Sequence, residues 1–167
     1  VRQTVGDTYY IDANYYYGFI AFKEKNYTTA LQCFEIAKAA SVYGKLIPFY
    51  NAQIYYFTGS SEKALSTALA ALKAGEQYYE LPLQQLVGRL LFAKNDFTGA
   101  LPYLEKYVAS SKTPTHEDLY ELSFCYFEQK KWNKAIEGFK RLTTGKDSLS
   151  QNSMYLLAKA YLEIGDK

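Results

Sequence analysis

Residues 130–139 read KKWNKAIEGF, with the single tryptophan of the chain set among lysines. The stretch is either a basic, aromatic patch for nucleic acid or internal scaffolding that carries charge. Two other stretches bear on the choice, KNYTTALQCF at 25–34 and KNDFTGALPYL at 94–104. In all three an aromatic residue (Tyr27, Phe97, Trp132) stands three residues before an alanine (Ala30, Ala100, Ala135). A weaker copy, GSSEKALSTAL from Gly59, has Ala64 in the alanine place. The alanines Ala30, Ala64, Ala100 and Ala135 are 34, 36 and 35 residues apart. A fixed period of this length signals a stack of supersecondary units, each burying its neighbour's apolar face. Trp132 then reads as a packing wedge equivalent to Tyr27 and Phe97. Lys130, Lys131, Lys134, Lys140, Arg141 and Lys146 read as a solvated face, with a weak anion-binding role as the alternative.

About twelve residues before each alanine lies a second small residue: Gly18, Ala52, Gly88 and Ser123. Between the two, a helical pattern is broken by a polar turn at KEKN, TGSS, AKND or EQKK. Each repeat is therefore expected to be two antiparallel helices, A and B, which approach closely only where side chains are short. Asn26, Ser60 and Asp96 stand where helix B begins and are expected to cap it, whereas Lys131 has no capping side chain. Pro102 falls inside the expected helix B of the third repeat, so that helix should start late or kink. A fifth repeat opens at about Gln151, with Ala158 in the small place and Tyr161 three residues on.

This pattern resembles the tetratricopeptide repeat. The fourth repeat matches best, through Ser123, Tyr126, Trp132, Ala135, Phe139 and Leu142, and the first matches through Tyr17, Gly18, Tyr27, Ala30, Phe34 and Ala37. The closing proline of the family is absent except near Pro114, and the second repeat carries Ser61 and Ala68 where aromatics are usual. The resemblance implies an all-α, right-handed solenoid of about nine helices. It forms a single array with repeats at about 11–44, 45–80, 81–115 and 116–150, a half repeat at 151–167, and a lead-in at 1–10 from a preceding segment. The opening VRQTVGDTYY has neither an initiator methionine nor the form of a signal peptide, which is expected of a fragment of a longer protein. The phrase LLAKAYLEIGDK at 156–167 is similar to arrays of bacterial cell-envelope proteins, and implies that setting.

Nineteen basic against seventeen acidic side chains leave a charge of +2, which supplies no electrostatic reason to expect nucleic acid or an anionic membrane. Charged and polar residues interrupt every apolar run before it reaches the length of a membrane helix. An enzyme is not expected, for want of an inventory. His116 is the sole histidine, standing in TPTHEDLY where a helix starts, and no cysteine or second histidine shares its segment. Nucleophile-elbow, phosphate-loop and dinucleotide glycine patterns are all missing, so no catalytic residue, metal or cofactor is assigned. Cys33 and Cys125 lie three repeats apart and are expected to be reduced core thiols.

Eighteen tyrosines and ten phenylalanines call for an explanation. In the tetratricopeptide family the A helices line a concave surface that binds peptides. Carried over by register, that surface holds Tyr15, Phe19 and Phe22 in the first repeat and Phe49, Gln53 and Tyr56 in the second. Arg89 and Phe92 follow in the third, Tyr120, Phe124 and Phe127 in the fourth, and Tyr155 in the half repeat, with Leu46 and Glu128 among the further groove-facing places. Tyr15, Phe19, Tyr50, Pro82 and Leu86 occupy the places where the chaperone-tail class carries its carboxylate clamp, so that ligand class is not expected. The resemblance thus implies a non-catalytic module that binds a protein or peptide in an aromatic groove. The alternative is a structural or regulatory segment that packs on its own longer chain or self-associates.

Overall fold

The computed structural model describes residues 8–165. Its helices are α1 (Tyr10–Lys23), α2 (Tyr27–Ala37), α3 (Ser41–Gly44), α4 (Ile47–Phe57), α5 (Ser61–Ala74), α6 (Glu80–Ala93), α7 (Phe97–Ser110), α8 (His116–Glu128), α9 (Trp132–Lys140) and α10 (Ser148–Glu163). The nine expected helices are all present, and the four-residue α3 is an addition between the first two repeats. No strand occurs among the described residues. The chain divides into two units, Val1–Leu83 and Gln84–Lys167, and each has its own core.

Within each repeat the A helix ends in one recurring turn. Lys25, Gly59, Asn95, Lys130 and Gly165 all have positive φ, between 56° and 76°. Each donates its backbone N–H to the carbonyl three residues back. In the first four repeats the next residue donates to the carbonyl five residues back, as in Asn26 to Ala21 and Lys131 to Tyr126, both at 2.8 Å. These paired bonds satisfy the carbonyls left free at the helix end and reverse the chain within three residues. Glycine and asparagine suit the left-handed geometry; the two lysines adopt it against their intrinsic preference.

The repeat alanines are all fully buried. Opposite them, a Cβ on Gly18 would lie 2.9 Å from Cys33 Cβ, and one on Gly88 would lie 2.6 Å from Leu104 Cδ2. In the fourth repeat the requirement is transferred to the other helix. Ser123 donates to Leu119 O at 2.6 Å, and a Cβ on Gly138 would collide with its hydroxyl oxygen.

The structure corrects or sharpens four of the sequence readings. Asn26 and Asp96 accept from Thr29 N and Gly99 N, but Ser60 makes no side-chain cap. Its backbone, at ψ 59°, is away from the extended geometry in which the equally short Thr115 hydroxyl caps α8 at ψ 167°. The α7 helix starts at Phe97 with Pro102 inside it, so the late start, one of the two outcomes expected, does not occur. Pro102 is exposed, so water can meet the Thr98 carbonyl that loses its helical donor. Trp132 is half-buried, as are Tyr27 and Phe97. All three pack against the aromatic five residues earlier: Tyr27 on Phe22 at 6.3 Å, Phe97 on Phe92 at 5.4 Å, and Trp132 on Phe127 at 5.2 Å. Ala158 is exposed, and Ser153, Leu156 and Ala160 supply the buried side of α10. In earlier repeats the small residue faces its own helix B, and no helix follows α10 among the described residues.

Candidate functional site

In the first unit the aromatic A-helix face is built around Tyr50, a ring that the sequence reading placed only at a carboxylate-clamp position. It is buried, and Phe19, Phe22, Phe34 and Phe49 surround it with centroids 5.3–5.6 Å away. Its hydroxyl lies 3.0 Å from that of Tyr79. Tyr15 stacks on Tyr43 at 4.1 Å, and the Tyr43 hydroxyl donates to Asp12 Oδ1 at 2.7 Å. Burial, then the Asp12 hydrogen bond, pushes Tyr43 up to about 12. Tyr15, Phe19, Phe22, Phe49 and Gln53 are half-buried, while Tyr56 is exposed. Tyr15, Phe19, Phe22 and Phe49 thus pack on the core and still keep part of their surface towards solvent.

The second unit repeats the device. Phe124 meets Phe92, Phe97, Tyr120 and Phe127 at centroid distances of 5.2–6.5 Å. Tyr120, Phe124 and Phe127 share the i, i+4, i+7 spacing of Tyr15, Phe19 and Phe22, one face of a helix in each case. Asn152 donates to the Tyr120 hydroxyl, and Lys159 lies 5.8 Å and 5.4 Å from the Phe127 and Tyr155 rings. Tyr155 is 61% exposed.

Arg89 is committed to a polar network. Its Nη2 and Nε donate to Asp118 Oδ1 at 2.7 Å and 3.2 Å, beside Gln85 Nε2 at 2.8 Å. The other carboxylate oxygen of Asp118 accepts from the Thr115 N–H and hydroxyl, closing a capping box at the start of α8. Asp118 is 0% exposed. Burial opposes its charge, but Gln85, Thr115 and Arg89 together outweigh burial and hold its carboxyl below the usual range. One turn on, burial pushes Glu121 up to about 7; Arg89 opposes that, and Asp118 and Glu117 add to it.

These neighbours give opposite pH dependences. The stability tied to Asp118 is present above the ordinary carboxylate range and is lost as pH falls through its lowered folded value. Glu121 binds its proton more tightly when folded, so its term weakens stability as pH rises from the usual carboxylate value through about 7. Glu121→Gln should stabilise the protein at pH 8 by on the order of 1–3 kcal/mol. The urea midpoint of the wild type should fall between pH 5.5 and 8, and that of the variant should not; parallel curves would refute the assignment.

The sequence reading gave no binding role to the aromatics on the other side of α1, and took Tyr17, which is exposed, as a packing place. Tyr16, Tyr17 and Ile20 are all more than half exposed and line a hollow of about 570 Å³ with Tyr10 and Ile36. Both cysteines are buried, and burial raises the Cys125 thiol to about 12, as befits an inert core group. Among the described residues no group of three or more histidine, cysteine or acidic side chains is placed to hold a metal, and no helix is long and apolar enough to cross a membrane.

A family model described as anaphase-promoting complex, cyclosome, subunit 3, matches residues 93–167. No curated protein matches the sequence. Among solved structures the chain is similar to YrrB, described as a TPR protein with an unusual peptide-binding site. The identity is 17%, with 92% of this chain and 77% of that one covered at a TM-score of 0.74. It is also similar to MamA of AMB-1, at 15% identity, with 96% and 85% covered and a TM-score of 0.71. The chain carries the tetratricopeptide repeat fold. The likeness at these identities concerns the fold alone, and the tetratricopeptide A helices are those that carry Tyr15, Phe19 and Phe22 and their counterparts in the second unit.

Proposed function

We propose that this tetratricopeptide protein is a non-catalytic interaction module whose A-helix aromatics bind a peptide or protein segment. The supporting observation is the half-buried state of these rings in both units. Their inner sides are held by ring contacts, so little side-chain freedom remains to be lost when the outer sides are covered. Tyr56 and Tyr155 are the expected groove residues left most open, at 43% and 61%. That YrrB is described as having an unusual peptide-binding site accords with this reading.

Peptides selected from a random display library on the 167-residue chain provide the test. Tyr56→Ser or Tyr155→Ser should weaken the selected peptides by about tenfold, the cost of one aromatic anchor. Lys134→Ser, on an outward helix B, should leave affinity unchanged, and raising salt should have little effect. Loss on Lys134→Ser with steep salt dependence would overturn the reading in favour of a basic surface.

A further inference from the structure

A hollow of about 640 Å³ opens on the first unit where Tyr15 and Leu46, two of the expected A-helix positions, meet Val42, Tyr78 and Tyr79. Its wall comes from the loop between α5 and α6. Gly75 and Glu76 both take positive φ, 74° and 54°, and the Tyr78 N–H donates to Lys45 O at 3.1 Å. That geometry stands Tyr78 out at 74% exposure, perpendicular to Tyr79 with centroids 4.9 Å apart. The Tyr79 hydroxyl is engaged with Tyr50, so Tyr79 offers the hollow its ring rather than a free polar group. Glu76, on the wall, is ion-paired with Lys45 at 2.6 Å. Asp12 adds a carboxylate beside the Tyr43 ring that stacks on Tyr15.

We infer that this hollow receives a cationic side chain, arginine or lysine, of the bound peptide. The inference rests on the peptide-binding reading above and names what the first unit selects. Ring faces carry negative potential and attract a guanidinium or ammonium group, which an apolar side chain does not exploit. Two tyrosine rings set at 79° form a corner, Tyr15 adds a third ring, and Glu76 supplies the counter-charge once it turns from Lys45 to the ligand. Lys45 is then the built-in competitor. Its Nζ holds the carboxylate while the hollow is empty and has only to swing away on an exposed stem.

Titration of the chain with N-acetyl-arginine amide, followed by amide NMR shifts, tests this directly. Arginine amide should shift Tyr15, Val42, Tyr78 and Tyr79. N-acetyl-citrulline amide, of the same shape without charge, and N-acetyl-leucine amide should bind about three- to thirtyfold more weakly, the range of a cation over aromatic rings. Tyr78→Ser and Glu76→Gln should weaken arginine binding, and Lys45→Ala should strengthen it. All three sites are exposed, so the fold is preserved. Equal binding of the citrulline or leucine amide, or no gain in Lys45→Ala, would overturn the inference. Selected peptides that depend on Tyr56 and Tyr155 but bind no better with a basic residue would sink this inference alone. Arginine binding without any selectable peptide would sink the wider reading instead.

Discussion

Asp118→Ala should lower the unfolding free energy by about 3–5 kcal/mol, the cost of breaking one side of a buried ion pair. Asp118 is 0% exposed and accepts from five donors: Arg89 Nη2 and Nε, Gln85 Nε2, and the N–H and hydroxyl of Thr115. Alanine leaves all of them without this acceptor. It also opens the capping box of α8 and removes the charge that offsets the Arg89 guanidinium. Asp118→Asn keeps the shape and part of the hydrogen bonding, and should lose less. Because the substitution takes from Arg89 its nearer carboxylate and leaves only Glu121, 3.8 Å away, Arg89→Met combined with Asp118→Ala should recover part of the stability lost in the single variant. Urea unfolding at pH 7 measures each value. A loss below about 1 kcal/mol would mean that Arg89 finds water instead, and that the network contributes no more than an exposed ion pair.

The network also shows what the sequence made legible and what it did not. The periodic alanines, opposed by Gly18, Ala52, Gly88 and Ser123, named the helix pairs because close packing demands small residues at fixed spacing. The same reading assigned Arg89 to the groove but not its commitment to Asp118, although Thr115 and Asp118 stand at the spacing of a capping box. A helix-start signature identifies two of the partners; Gln85 and Arg89 come from α6, and tertiary packing alone brings them to the carboxylate. The recurring left-handed turn was hidden for a related reason. Gly59, Asn95 and Gly165 announce it, but Lys25 and Lys130 have no such preference and are held there by the paired hydrogen bonds.

Aromatic runs were the least legible feature. In YYYGFI at 15–20 apolar rings occupy every face of the helix, so periodicity cannot separate Tyr15 and Phe19, which pack on the core, from Tyr16 and Tyr17, which do not. Tyr78 and Tyr79 present the same ambiguity in a loop. One ring is hydrogen-bonded inward to Tyr50 and its neighbour stands in solvent. Only the turn at Gly75 and Glu76 decides which is which.

Within KKWNKAIEGF, Phe139→Ala should be the costly substitution, not Trp132→Ala. Phe139 is 0% exposed and packs with Leu119, Ala135, Leu142 and Leu156, with Tyr120 and Phe127 as ring neighbours at 6.1 Å and 6.4 Å. Truncation there removes the ring and leaves a cavity among helices α8, α9 and α10, for a loss of about 3–5 kcal/mol. Trp132 is larger but half-buried, with its edge contact to Phe127 on one side and solvent on the other. Its removal forfeits partial burial and one aromatic pair, roughly 1–2 kcal/mol, and water fills the space instead of a void. Urea midpoints of the two variants, with tryptophan fluorescence following the Phe139 variant, give the order. A Trp132→Ala loss equal to that of Phe139→Ala would show the indole to be enclosed, and the wedge would then belong to the core. If Trp132→Ala leaves stability unchanged and abolishes binding of a single-stranded oligonucleotide, the lysines that flank it are the working surface, and the stretch acts as a basic aromatic patch after all.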